Sequence, residues 1–299
     1  LLRQQNLKVA LAAPTGRGAQ RMSEVSGREA KTIHRLLEME YNEEDVPRFA
    51  RNEHNLLDCG ALIVDEVSMV DILLFESLLR ALPMSCRLVM VGDADQLPPV
   101  GAGNVLRDMI DSGRVPTVRL EEIFRQAAES YIVRGAHRIV RGEPPEFARR
   151  EGDFFFMPRY TAAQVRSTVT ELVMTRLPAA YGFDPAEDIQ VLVPGRKGEL
   201  GTGALNAALQ QALNPPEPGR AQRAFGPVTF REGDKVMQVR NNYDIPWVRE
   251  DGEHGAGVFN GDIGVLETVN PHSGLMRVRF DDRAVDYPPE NIDELELAY

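Results

Sequence analysis

The 299-residue sequence holds only two cysteines, Cys59 and Cys86, and they stand at no metal or redox spacing. That excludes a disulfide framework and leads us to expect two free, buried thiols in a cytoplasmic protein. The five histidines also fall at no ligand spacing, so no protein-built metal site is expected. No apolar run approaches the ~18 residues that a membrane-spanning helix needs, which removes the membrane as a partner. Positive charge is short as well. Lys and Arg number 34 against 45 Asp and Glu, a net charge of −11, which argues against bulk, non-specific attraction to nucleic acid. There are no tandem repeats and no low-complexity tract. There is also no initiator Met and no signal peptide in Leu1-Leu2-Arg3-Gln4-Gln5-Asn6, so we expect the chain to begin inside something longer.

What is present is an ordinary globular composition, 43% hydrophobic and 26% charged, in a length that suits two domains better than one. The charge is unevenly spread. Residues 1–36 carry Arg3, Lys8, Arg17, Arg21, Arg28, Lys31 and Arg35 against only Glu24 and Glu29, a local basic face that can follow a phosphate backbone.

The stretch that organises the chain is Ala61-Leu62-Ile63-Val64-Asp65-Glu66, a strand buried on both faces that ends in two carboxylates. Open parallel sheets bind ligands beyond the carboxyl ends of their strands. Similar strands are predicted at 8–13, 87–91 and 115–120, the first broken by Pro14-Thr15-Gly16 and the second ending in Asp93-Ala94-Asp95-Gln96. Helices are predicted over 17–25, 32–37 (capped by Thr32), from Ser68 or Asp71 to 82, from 104, and over 130–140. The helix ending at 82 should bury Ile72, Leu73, Phe75, Leu78 and Leu79. Residues 38–57 keep no period and read as a solvated insertion or a small hairpin. A boundary is expected in the Pro/Arg-rich stretch 143–152. Beyond it, strands at 154–157 and 189–193 and helices at 161–177 and 202–213 continue the α/β style. From about Ala224, short alternating strands at 235–239, 263–266, 276–280 and 284–287 predict a small antiparallel barrel.

Three polar strand tips should therefore share one sheet edge: Asp65-Glu66, Asp93 to Gln96, and Phe124-Arg125. One acid to hold a hydrated magnesium ion, another to orient water, a neutral amide and an arginine are the parts of phosphoryl-transfer catalysis.

Five segments in order resemble the motifs of superfamily 1 helicases: Ala13-Pro14-Thr15-Gly16-Arg17-Gly18-Ala19, Thr32-Ile33-His34-Arg35-Leu36-Leu37, Val64-Asp65-Glu66-Val67-Ser68-Met69, Val91 to Val100, and Ile123-Phe124-Arg125-Gln126. They are most similar to the RecD-like 5′-to-3′ DNA helicases, the family of the exodeoxyribonuclease V alpha subunit. Val193-Pro194-Gly195-Arg196-Lys197-Gly198-Glu199-Leu200-Gly201 also resembles a segment of that family's second motor domain. The resemblance implies an α/β chain with a RecA-like (P-loop NTPase-type) parallel-sheet domain over 1–145, in which 38–57 takes the place of the strand-separating pin. Part of a second RecA-like domain would follow over 146–223, and an SH3-like β-barrel insertion over 224–299.

The same resemblance implies ATP and Mg2+ as cofactors and single-stranded and duplex DNA as the partner, with nuclease or other helicase-complex subunits beside it, in recombination or repair. Asp65 would hold magnesium through water, Glu66 the catalytic water, Gln96 the link from γ-phosphate to DNA, and Arg125 the γ-phosphate, with Phe124 beside the adenine. Arg196 and Lys197 would contact nucleotide or DNA. Pro14, Thr15, Arg17, Thr32 and His34 would hold single-stranded DNA, mainly by its phosphates, and Asn241, Tyr243 and Asn260 are candidate contacts from the barrel. The family's Gly-x-x-x-x-Gly-Lys-Ser/Thr loop occurs nowhere in residues 1–299. The family places it just upstream of Leu1, and its last motifs would fall past Tyr299. The expectation is a helicase motor fragment that is a poor ATPase alone. The rival expectation is a non-catalytic DNA-binding or subunit-interaction fragment.

Overall fold

A computed structural model describes residues 7–41, 47–120, 129–148 and 151–299. The chain divides into two compact units, Leu1–Met157 and Pro158–Tyr299. Among the described residues no helix is long and apolar enough to cross a membrane.

In the first unit the strands are Val9–Ala13 (β1), Lys31–Thr32 (β2), Met39–Tyr41 (β3), Pro47–Phe49 (β4), Ala61–Val64 (β5) and Arg87–Met90 (β6). The helices are Gly16–Ser26 (α1), Ile33–Leu36 (α2), Ile72–Ala81 (α3), Val105–Asp111 (α4) and Tyr131–Val140 (α5). Four strands form a parallel sheet in the order β2-β1-β5-β6, so their carboxyl ends reach one edge. Helix starts follow side-chain chemistry. Thr15, Thr32, Asp71 and Ser130 each accept the backbone N–H three residues on, and each such cap contributes about 1 kcal/mol. Leu62 and Val64 of β5 pack with Ile33, Leu37, Phe75, Leu78 and Leu106 in the core.

The insertion after residue 37 is a short antiparallel hairpin, β3 with β4, in which Met39 pairs with Phe49. Its base is tied down by an ion pair from Arg51 to Glu38 and by another from Arg80 of α3 to Glu53.

Several sequence expectations are corrected here. The strand expected to be buried at 87–91 is β6, an edge strand whose side chains alternate between exposed and half-buried, because it pairs only with β5 among the described residues. No strand forms over 115–120, where Val118 and Leu120 are exposed. None forms over 154–157 either. There Phe154 and Phe156 pack on Phe147, with centroids 4.9 and 5.2 Å apart, and the Phe154 carbonyl accepts the Ala148 N–H at 2.7 Å without a ladder forming. Helix α3 turns Phe75, Leu78 and Ala81 inward, whereas Ile72, Leu73 and Leu79 are exposed.

In the second unit, helix Ala162–Glu171 (α6) runs through one π turn, Leu172–Arg176, into Leu177–Tyr181 (α7), and Thr202–Leu213 (α8) follows. Gln222–Phe225 (β7) and Val228–Arg231 (β8) make a hairpin. The rest is an antiparallel sheet of seven strands: Lys235–Gln238 (β9), Asn242–Arg249 (β10), His254–Val258 (β11), Ile263–Val269 (β12), Met276–Phe280 (β13), Arg283–Tyr287 (β14) and Leu295–Leu297 (β15), ordered β11-β10-β14-β13-β12-β9-β15. Strand β13 alternates buried Met276, Val278 and Phe280 with exposed arginines, the period-two signature of a sheet with one face in the core. The strand expected at 189–193 does not form. Ile189 joins the barrel core instead, its carbonyl accepts from the Lys235 ammonium at 2.7 Å, and Gln190 donates to the Ala298 carbonyl.

Candidate active site

The carboxyl ends of β1, β5 and β6 bring three sequence segments to one edge of the first sheet. The Asp65 N–H donates to Ala12 O of β1, Val91 N–H to Val64 O, and Val67 N–H to Val91 O. These bonds stitch the three tips together before each turns away.

The centre of this edge is Glu66. Its backbone is left-handed, at φ 55° and ψ 34°, a conformation that costs a non-glycine residue about 1–2 kcal/mol. Two bonds hold it there: Asp65 Oδ1 accepts the Glu66 N–H at 2.8 Å, and Glu66 O accepts from Met69 N at 3.0 Å. The turn aims the carboxylate back across β1, where the Thr15 hydroxyl donates to Glu66 Oε2 at 2.9 Å. The same hydroxyl accepts the Gly18 N–H at 3.0 Å and so caps α1. Gly18 leaves room for this contact: a Cβ there would stand 2.6 Å from Glu66 Oε2 and 2.8 Å from Thr15 Oγ1, and the carboxylate would have to shift.

Gln96 lies on the β6 tip. Its amide oxygen is 3.5 Å from the Ser68 hydroxyl, the outer limit of a hydrogen bond. Its loop is fixed from outside the motif. The Asp95 N–H donates to Asp93 Oδ1, and Arg107 of α4 donates to the Ala94 carbonyl at 2.6 Å and to Asp95. Asp65, Glu66 and Gln96 therefore come to one edge. Phe124 and Arg125 lie outside the described residues.

The residues expected to hold DNA are placed unevenly. Pro14 and Thr15 sit at the same edge, and Arg17 is exposed on the first turn of α1. Thr32 is 3% exposed and caps α2 by accepting the Arg35 N–H. His34 is half-buried beside Phe49, with ring centroids 6.1 Å apart. Burial lowers its pKa and Asp71 partly opposes this, so the ring is neutral near pH 7 and can offer an N–H but no charge.

The remaining candidates belong to the second unit. Arg196 and Lys197 are exposed, and Arg196 makes an ion pair with Glu296 of β15 at 3.0 Å. Asn241 Oδ1 accepts the Asn260 N–H at 3.0 Å, and Tyr243 meets Phe259 edge-on at 5.4 Å, so these three share one turn of the barrel.

Sequence reasoning missed Ser68, Gly18 and Arg107. Ser68 and Gly18 stand inside segments already singled out, so a signal existed. Arg107 carried none, since its partners are backbone and loop atoms twelve to thirteen positions away.

Comparisons with known proteins agree on what this chain is similar to. Residues 1–102 match the family described as AAA domain, and residues 205–280 match the one described as the ATP-dependent RecD-like DNA helicase SH3 domain. The "ATP-dependent RecD2 DNA helicase" of Deinococcus radiodurans is 36% identical over 98% of this chain and 36% of its own length. The "RecBCD enzyme subunit RecD" of Mycolicibacterium smegmatis is 38% identical over 87% of this chain and 48% of its own length. Among solved structures, a Pif1 helicase from Bacteroides bound to ADP-AlF3 and ssDNA matches at 19% identity and a TM-score of 0.48, covering 94% of this chain and 64% of that one. The chain thus spans between a third and a half of the length of these two curated relatives. Three of the motif segments gather on one sheet edge and residues 205–280 match the RecD-like SH3 domain, so the chain is RecD-like over nearly its whole length.

Proposed function

We propose that this chain is motor machinery of a cytoplasmic, ATP-dependent DNA helicase that couples hydrolysis to movement along single-stranded DNA and to duplex opening, in recombination or repair. The observation that carries this reading is the acid pair at the tip of β5, with Glu66 turned by a left-handed backbone toward the first turn of α1 and Gln96 on the adjacent tip.

The donor set suits ATP with magnesium. Asp65 offers hard carboxylate oxygens at the end of a buried strand, as a hydrated magnesium ion requires. When bound, the ion neutralises charge on the transferred phosphoryl group. Asp65, which fixes the Glu66 N–H, would hold the ion through water. Glu66 orients the attacking water and takes its proton. Gln96, neutral and exposed, donates or accepts toward the nucleotide without adding charge, and Arg125 with Phe124 would complete the phosphate and adenine contacts. On the DNA side, Pro14, Thr15, Arg17, Thr32 and His34 would line the first unit. Arg196, Lys197, Asn241, Tyr243 and Asn260 would contribute from the second, whose residues 158–223 we read as part of a second RecA-like domain and 224–299 as its barrel insertion. Nuclease or other helicase-complex subunits are the proposed protein partners.

The test uses a protein that carries the phosphate loop upstream of Leu1. There Glu66→Gln should lower single-stranded-DNA-stimulated ATP hydrolysis by about 100-fold or more, since it removes the general base. The rival reading, a DNA-binding or subunit-interaction fragment without turnover, draws on the absence of that loop within residues 1–299. It wins if hydrolysis shows no DNA stimulation and Glu66→Gln makes no difference.

A further inference from the structure

One hydroxyl hydrogen sits between the two activities proposed above. Thr15 Oγ1 carries a single hydrogen, which points at Glu66 Oε2 across 2.9 Å, while one of its lone pairs receives the Gly18 N–H at 3.0 Å. Thr15 is half-buried at the junction of β1 and α1, two residues before the exposed Arg17, where a phosphate would approach the helix start. A phosphate oxygen bound by this hydroxyl needs the same hydrogen that Glu66 holds, because both are acceptors and neither can lend one. Gly18 leaves this pair its room, since a Cβ there would stand 2.6 Å from Glu66 Oε2 and 2.8 Å from Thr15 Oγ1.

We infer that Thr15 is a positioning residue that holds Glu66 away from the attacking water until a DNA phosphate takes its hydrogen. This rests on the reading of Asp65-Glu66 as the hydrolytic pair and gives that reading a mechanism of DNA dependence. Without DNA, the Thr15 bond draws the Glu66 carboxylate onto the α1 side. When a phosphate accepts from Thr15, the carboxylate loses its donor and is repelled by the new negative charge. It is then free to accept from water. Competition for one hydrogen is reciprocal, so removing the carboxylate must strengthen the grip on DNA.

A double-mutant cycle on residues 1–299 tests this with a short fluorescent oligothymidylate and no nucleotide, read by anisotropy. Glu66→Ala should tighten binding by about tenfold in the wild-type background, because a charge-assisted competitor is gone. In the Thr15→Val background the same change should give about twofold or less, the share left to long-range repulsion. Equal tightening in both backgrounds, or none in either, overturns the inference.

A second measurement stands if Thr15→Val binds DNA too weakly to titrate. In the protein that carries the phosphate loop, Thr15→Val should raise DNA-free hydrolysis by about tenfold and flatten its stimulation by DNA, and Thr15→Ser, which restores the hydroxyl, should bring the stimulation back. A DNA-free rate that Thr15→Val does not raise sinks the proposal. Glu66→Gln in the same assay separates the two failures. If hydrolysis survives that change, the reading of the acid pair falls, and the binding cycle still decides whether Thr15 shares its hydrogen.

Discussion

The two units use polar side chains in opposite ways. In the first, Thr15, Asp65 and Glu66 are half-buried and Gln96 is exposed, each joined to its neighbours by one or two bonds that leave oxygens facing the open edge. In the second, Asp234 is fully buried and receives four donors at 2.7 Å each: Gln210 and the Arg231 N–H on one oxygen, Asn214 and the Tyr299 hydroxyl on the other. Gln238, also fully buried, donates to Glu294 and accepts from the Tyr287 hydroxyl at 2.7 Å. Saturation marks a polar group that organises structure, since a buried group with no partner would be costly. A group with valences to spare at an exposed strand end is available to a ligand.

Breaking the saturated cluster should have the largest effect on stability. Asp234→Asn sets an amide donor against existing donors and should destabilise the second unit by about 3–5 kcal/mol. Urea unfolding followed through Trp247, the chain's single tryptophan and a residue of β10, reads that unit directly. A loss under about 1 kcal/mol would show that the cluster tolerates rearrangement. Burial already pushes the Asp234 carboxyl up against the pull of its four hydrogen bonds, so the site has little room for further mismatch.

Gly18→Ala probes the open cluster and should split the other way. The added methyl improves helix propensity by up to about 1 kcal/mol but displaces the far end of Glu66 and crowds Thr15. Thermal stability should barely move, while DNA-stimulated hydrolysis in the loop-bearing protein falls by about tenfold. Unchanged hydrolysis would mean that the carboxylate works from another position.

The smallest expected effect is acid sensitivity at His34. Its folded pKa lies below the ordinary 6.5 because burial disfavours the charged ring. Its contribution to stability is thus complete above pH 6.5 and is lost as pH falls through that value toward the folded one. The thermal midpoint of the first unit should drop by a few degrees between about pH 7.5 and 5.5, and His34→Gln should remove part of that drop. A midpoint that does not fall with pH would contradict the burial of the ring.

The same contrast explains what could be read from the sequence. Strands β1 and β5 and the capped helices were legible because runs such as Ala61-Leu62-Ile63-Val64 and caps such as Asp71 act locally. The polar tips were legible too, since they follow those runs directly. Residues 154–157 and 189–193 have the composition of strands but form none, because pairing needs a neighbour that composition does not reveal. Ile189 is held by the side chain of Lys235, forty-six positions away. The bond from Thr15 to Glu66 spans fifty-one positions; both residues stood in recognisable segments, but only the left-handed turn at Glu66 brings them into contact.

The Lys235 bond has a mechanical consequence. The buried Lys235 ammonium on β9 grips the backbone at Ile189, Asn206 of α8 grips Leu297, and Arg196 reaches Glu296. The barrel is therefore tied at three places to residues 189–206, which include Arg196 and Lys197. A displacement of the barrel would pull on the segment that carries Arg196 and Lys197.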